Sequence, residues 1–289
     1  MQHVTVRVPA STSNLGPGFD CLGVALRLYN DVTVQRGKGR RLDPMMREAS
    51  ERFFATAELR RFAFSCAVTG QVPASRGLGS SVTVRLGVMH GLNTLAGRPL
   101  GREKIFQLCA ELEGHPDNAA PAAFGGFNVV RHENRQRFTI SAALKFVLLI
   151  PDFEVKTENA RALLPTRIDR VGAVESCGNA AAIAAAFASK RYRSLRGAFA
   201  DHLHQPFRKR LVPFFDQTIA AAENAGALGG FLSGSGSTIA AVTLARVDRV
   251  AAAMQTSAPS ATVLVTTADN RGAHVLPIRN PQSAIRVSP

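Results

Sequence analysis

The stretch Gln71–Leu86, QVPASRGLGSSVTVRL, limits what this chain can fold into more than any other. Upstream, Phe62–Val68 (FAFSCAV) is rich in Phe and β-branched residues and predicts a strand. Downstream, Val82, Leu86 and Met89 recur at helical spacing, and no proline interrupts the run to Leu95. Between strand and helix stand Gly77, Gly79, Ser80 and Ser81. Glycine lets backbone approach a bulky anion, and a helix N-terminus offers unpaired N–H groups with a partial positive charge. Ser80 and Ser81 are placed to cap the helix or to offer hydroxyls to a phosphate or its magnesium. A phosphate cradle and a plain serine-capped glycine turn both fit this stretch taken alone.

Two common phosphate motifs are excluded. A Walker A loop needs a lysine after its last glycine, and Gly79 is followed by serine. A dinucleotide fingerprint needs a third glycine where Val82 stands. With 289 residues the chain holds one large domain or two moderate ones. Its 46% hydrophobic and 19% charged residues are a globular composition. No apolar run is read as approaching the ~20 residues of a membrane span, and MQHVTVRVPAS enters a strand without a signal-peptide core. Cys21, Cys66, Cys109 and Cys177 contain no C-x-x-C pair and fit free thiols in a reducing, cytoplasmic setting. The formal charge of +14 raises a nucleic-acid reading, but the basic residues are dispersed and aromatics make up only 7%. A basic surface equally suits a polyphosphate-binding enzyme. The expectation is no nucleic acid and no membrane.

Taken in order, His3–Pro9 alternates as a strand, and Ala10–Asp20 (ASTSNLGPGFD) is a loop dense in small polar residues ending in a carboxylate, the make-up of a ligand-lining loop. Val24–Gln35 predicts a long strand, residues 36–41 a basic turn and Asp43–Ala57 a helix. A helix over Arg102–Leu112 runs into Glu111-Leu112-Glu113-Gly114-His115-Pro116-Asp117-Asn118, a polar set that a charged helix end explains only for Glu111 and Glu113. Strands are expected over 127–130, 138–141 and 144–150, and residues 152–165 make a strand-to-helix turn. Helices over 171–187, 215–224 and 247–255 follow, with a glycine-rich strand end at 227–238 and closing strands at 262–267 and 273–277. The domain boundary is expected near Leu149–Asp152, giving an N-terminal domain of residues 1–150 and a C-terminal domain of 151–289.

The pattern Pro73-x-x-x-Gly77-Leu78-Gly79-Ser80-Ser81 resembles the phosphate loop of the GHMP small-molecule kinases. Val82 and Thr83 replace the alanines usual there. The opening P-A-S-x-x-N-L-G-x-G-F-D, the E-G-H-P-D-N stretch and the H-Q-P-F-R segment resemble homoserine kinases more specifically, and Ala227–Thr238 resembles the third GHMP motif, with Ser237 where proline is usual. The resemblance covers the whole chain, least at 36–60, where the adenine contacts are not placed. It implies an α+β, two-domain GHMP kinase fold, with a ribosomal protein S5 domain 2-like N-terminal domain and a ferredoxin-like C-terminal domain.

It further implies transfer of the γ-phosphoryl of ATP to the hydroxyl of L-homoserine, on the route to threonine. Nucleotide contacts fall on Pro73, Ser75, Arg76, Gly77, Leu78, Gly79, Ser80 and Ser81. Mg²⁺ falls to Ser80, Ser81 and the upstream Glu111. Substrate contacts fall on Asn14, Asp20, His115, Asn118, Thr157, Arg161, Arg208 and Gly234. Asn14, Asp20, Glu111 and Asn118 are the catalytic candidates, and a homodimer is admitted. Alternatives are another GHMP kinase acting on a different alcohol, or a catalytically weak nucleotide-binding relative.

Overall fold

A computed structural model describes residues 2–37, 41–131 and 134–277, so the basic turn expected over 36–41 lies partly outside the described residues. In chain order the elements are β1 (His3–Ser13), β2 (Leu22–Arg36), α1 (Pro44–Thr56), β3 (Phe64–Gly70), α2 (Ser80–Leu95), α3 (Arg102–Glu113) and α4 (Ala119–Phe124). They continue as β4 (Phe127–Arg131), β5 (Asn134–Phe138), β6 (Lys145–Ile150), α5 (Thr157–Ala162), α6 (Arg170–Ser189) and α7 (Gln205–Arg208). α8 (Phe215–Ala225), β7 (Gly229–Leu232), β8 (Ile239–Thr243), α9 (Val247–Ser257), β9 (Thr262–Thr267) and β10 (His274–Val275) complete the chain.

One sheet runs β10-β1-β2-β4-β5, with β3 also paired to β2; the other runs β7-β8-β6-β9. β2 is long enough to serve two neighbours on one edge, β3 along residues 30–36 and β4 along 22–24. α2 lies across β1 and β2, and glycine decides how closely. A Cβ on Gly87 would stand 2.3 Å from Val32 Cγ2, and one on Gly91 2.4 Å from Val34 Cγ2. A larger residue would lift the helix off the sheet and open a void among Val32, Val34, Leu86 and Met89, all fully buried.

β6 (KFVLLI) shows no polar alternation because both its faces are covered. Val147 and Leu149 pack with α8 and α9 side chains such as Ala222, Val250 and Met254. Phe146 and Leu148 turn to the opposite face and join Phe127, Phe187, Phe231, Leu22 and Leu26. Phe127 stacks on Phe187 with ring centroids 4.4 Å apart, so the two sheets share one core instead of meeting through a linker. The expected boundary at residue 150 falls at the end of β6. β6 pairs with β8 and β9 in the second sheet, and β10 returns to pair with β1 in the first.

α6 also departs from expectation. The helix is long and apolar enough by length and composition to cross a membrane: an 18-residue window of it has a mean hydropathy of 1.3, and 28% of that window is buried. Alanine accounts for the hydropathy while contributing little side-chain area. The buried stripe is Ile183, Ala186 and Phe187, and Val171 and Val174 face outward.

Candidate active site

Six connections converge on a cleft of about 510 Å³. They are the loop after β1, the loop between β3 and α2, the turn between α3 and α4, the segment entering α5, the end of α7, and the β7–β8 loop.

The β3–α2 loop is pinned from every side. Gly77 O accepts from Ser233 Oγ at 2.6 Å, Leu78 O from Ser11 N at 3.2 Å, Arg76 O from Thr238 N at 3.2 Å, and Ser75 O from Val155 N at 3.0 Å. Gly77 and Gly79 both have positive φ (72° and 68°), the left-handed region glycine enters freely. A Cβ at Gly77 would stand 2.1 Å from Ser233 O, and one at Gly79 2.4 Å from Ser11 Oγ. The helix cap is Gly79, not serine. Ser80 and Ser81 are the first helical residues, so their hydroxyls are not used as caps, and the first amides of the helix lack intrahelical acceptors. Thr83, an odd residue for this position by resemblance, has a task. Its hydroxyl donates to Ser80 O at 2.7 Å and accepts from Asn30 Nδ2 at 2.8 Å, fastening the first turn of α2 to β2. The Ser237 hydroxyl likewise donates to Phe153 O at 2.7 Å and ties the β7–β8 loop where proline would have stiffened it.

On the opposite wall, Asn14 (φ 69°) donates to Gly234 O at 3.0 Å and accepts the Asp20 amide at 3.0 Å. Asn118 accepts from Ser11 Oγ at 2.9 Å and donates to Ser13 Oγ at 3.0 Å, which fixes its amide orientation. Asp20 and Arg161 form a two-point ion pair at 3.0 and 2.7 Å. Arg208 is buried, yet among the described residues no carboxylate lies within ion-pair distance. Its Nε donates to Ala160 O at 3.3 Å and its Nη1 to Gly234 O at 3.2 Å, while its Nη2 has no hydrogen-bond partner among the described residues. Both arginines lie over the Phe19 ring, at 5.0 Å for Arg208 and 5.4 Å for Arg161. Burial, helped by the charge of Arg161, lowers the Arg208 pKa to about 10, which leaves it charged at neutral pH. Burial pushes His204 down to about 4, so its ring is neutral; Nε2 donates to Gly16 O at 2.8 Å.

His115 Nδ1 donates to Asp117 Oδ1 at 2.7 Å. Burial works against a charged ring here, but the hydrogen bond and charge of Asp117 overcome it, and the pKa rises above 6.5. The folded chain thus keeps this proton to higher pH than the unfolded chain does. The stabilisation is complete below about 6.5 and is lost as pH rises through the raised folded value. Wild type should therefore lose unfolding free energy between about pH 6 and about pH 8, and His115→Gln should lose measurably less. Urea melts at both pH values check this, and parallel losses in the two proteins would refute it.

Of the residues singled out from sequence, Asn14, Asp20, Ser75, Arg76, Gly77, Gly79, Ser80, Ser81, His115, Asn118, Thr157, Arg161, Arg208 and Gly234 line the cleft together. Leu78 turns into the core and Pro73 lies outside the lining, so any contact from them is through backbone or packing. Glu111 lies apart from them. It pairs with Arg52 on the surface, both side chains about half exposed, away from the cleft. Glu113, dismissed from sequence as a helix-end charge, lines the cleft instead and accepts from Ser81 Oγ at 2.8 Å. Met45 of α1 also lines it, within the stretch where sequence placed no nucleotide contact.

The family profiles described as "GHMP kinases N terminal domain" and "GHMP kinases C terminal" match residues 45–126 and 182–260. A homoserine kinase of Clostridium botulinum (strain Alaska E43 / Type E3) is 37% identical over 255 residues, covering 83% of this chain and 86% of that protein. One of Caldicellulosiruptor saccharolyticus is 36% identical, covering 97% of this chain and 99% of that protein. The crystal structure of homoserine kinase from Cytophaga hutchinsonii superposes with a TM-score of 0.87 at 26% identity, over 96% of this chain and 98% of that one. A mevalonate kinase at 12% identity and TM-score 0.72 shares the fold. With both domain profiles matched and relatives this similar along nearly its whole length, the chain belongs to the homoserine kinase family of GHMP kinases.

Proposed function

We propose that this kinase transfers the γ-phosphoryl of ATP to the hydroxyl of L-homoserine, with Mg²⁺. The observation that carries the substrate reading is Arg208, a buried cation that lines the cleft beside Gly234 without a carboxylate of its own. A buried charge is costly unless something pairs with it, and a guanidinium suits a carboxylate through two parallel hydrogen bonds. Next to it, Arg161 and Asp20 neutralise each other. An α-amino acid brings both signs on one carbon. Its carboxylate would go to the arginines and its ammonium to Asp20, replacing one ion pair by two without stranding a charge. An alcohol lacking the ammonium would leave Asp20 uncompensated once Arg161 turned to it.

The polyphosphate would lie on the backbone of residues 75–79 and the N-terminus of α2, held as a pre-formed nest. For the cation, the donor set fits. The Glu113 carboxylate, 8% exposed, and the Ser81 hydroxyl are hard oxygens in contact across the cleft floor, with Ser80 adjacent. Among the described residues no cluster of three or more His, Cys, Asp or Glu could form a metal cage. That suits Mg²⁺, which takes one or two protein oxygens and completes its shell with phosphate and water. When bound, it would offset the negative charge of the phosphate oxygens. Of the four carboxylates in the lining three are already engaged, Asp20 by Arg161, Asp117 by His115 and the Asn118 amide, and Glu113 by Ser81, while the fourth, Glu158, is exposed to solvent. This supports catalysis through positioning and charge neutralisation, with Asn14, Asn118, His115 and Thr157 bordering the alcohol, over reliance on a strong base.

Coupled ADP release compared side by side with homoserine, serine, mevalonate and galactose tests the reading. Homoserine should lead, and serine, one methylene shorter, should fall roughly 10- to 200-fold below it in kcat/KM. Faster release with mevalonate or galactose would assign the site to another alcohol. Nucleotide binding with no release to any of them would mark a catalytically weak relative.

A further inference from the structure

Arg85 lies on α2 behind the cleft, outside its lining. Its guanidinium donates to Glu113 Oε1 on α3 and, at 2.8 Å, to Glu48 Oε2 on α1, so one side chain ties three helices. The Arg85 side chain is 14% exposed and that of Glu113 8%, against 52% for Glu48. The Glu113 contact is therefore the shielded half of the bridge, where solvent screens it least. Glu113 divides its oxygens: Oε1 meets Arg85 and Oε2 meets the Ser81 hydroxyl. A planar guanidinium sets the orientation of a carboxylate as well as balancing its charge. Without it, Glu113 would keep one hydroxyl contact and regain freedom about its side-chain torsions, at the point where the cation is expected.

We propose that Arg85 is a positioning residue for the cation: it holds Glu113 by one oxygen so that the other stays turned to Ser81 and the phosphate loop. This rests on the reading that Glu113, and not Glu111, holds the cation. Arg85 itself touches neither nucleotide nor alcohol, and Glu48 only steadies the outer side of the guanidinium.

The test reads binding in the absence of any alcohol. ATP is titrated by calorimetry into wild type, Arg85→Met, Arg85→Lys, Glu48→Gln and Glu113→Gln across a range of MgCl₂. Arg85→Met should need roughly ten- to a hundredfold more Mg²⁺ for half-maximal tightening of ATP, with magnesium-free ATP affinity unchanged. Arg85→Lys keeps the charge without the fork and should recover only part of the loss. Glu48→Gln should stay within about twofold of wild type, as an exposed contact would. Adding Arg85→Met to Glu113→Gln should change nothing further, because the effect runs through Glu113. Wild-type magnesium dependence in Arg85→Met, alongside an impaired Glu113→Gln, overturns the proposal and leaves the Glu113 assignment standing. Wild-type dependence in Glu113→Gln overturns that assignment instead. Should Arg85→Met not fold, Arg85→Lys decides: a dependence equal to wild type rules the positioning role out.

Discussion

Glu113→Gln is expected to lower turnover roughly a hundredfold or more, while Glu111→Gln stays within about twofold of wild type. The two glutamates are two positions apart on one helix and differ entirely in surroundings. At position 113 an amide keeps the shape and its oxygen still accepts the Ser81 hydroxyl, while the hard anionic ligand is removed and the contact with Arg85 is lost. Disturbing a group that merely orients a metal ligand costs about ten- to a hundredfold, and losing the ligand should cost at least the upper end. Glu111 forfeits only a surface pair with Arg52, side chains 48% and 49% exposed, of the kind worth about 0–1 kcal/mol. Turnover against Mg²⁺ concentration for both variants checks this. Near-normal kcat in Glu113→Gln with a collapse in Glu111→Gln would restore the assignment made from sequence.

Arg208→Met should reduce kcat/KM for homoserine by roughly ten- to a hundredfold or more, leaving the ATP KM near wild type. The lost charge-assisted hydrogen bonds are worth about 1.5–3 kcal/mol. Methionine keeps much of the buried stem, so the α7 end should stay packed. Arg161→Met should act differently. It releases Asp20 from its ion pair, and the freed carboxylate then meets the substrate ammonium without competition, which offsets part of the lost clamp. The loss at Arg161 is therefore expected to be the smaller of the two. Steady-state kinetics with both substrates varied distinguishes them, and equal homoserine kinetics in wild type and Arg208→Met would place the carboxylate clamp elsewhere.

The order of strands and helices was closely legible in the residues themselves. Periodicity located α1 to α3 and α8 and α9 within a few residues; α1, α3, α8 and α9 each bury one stripe and expose another, whereas α2 is buried or half-buried all round. The tight β3–α2 turn was legible too, since Gly77 and Gly79 serve a local demand, positive φ and close approach, that a short window can display. Even Glu113 left a trace. It lies four residues beyond buried Cys109 and seven beyond buried Phe106, on the inward stripe of α3, whereas Glu111 is about 200° round the helix from it.

Other features were fixed by folding in three dimensions. That β6 belongs to the second sheet and β10 to the first is a matter of pairing partners far apart in sequence, on which local pattern is silent. The same holds for Asp20 engaging Arg161 across 141 positions, and for Arg85 gathering Glu48 and Glu113. A charged side chain looks alike in sequence whether solvated, paired or waiting for a ligand. Which of these it is depends on what the fold brings within about 4 Å and on how much water it leaves there.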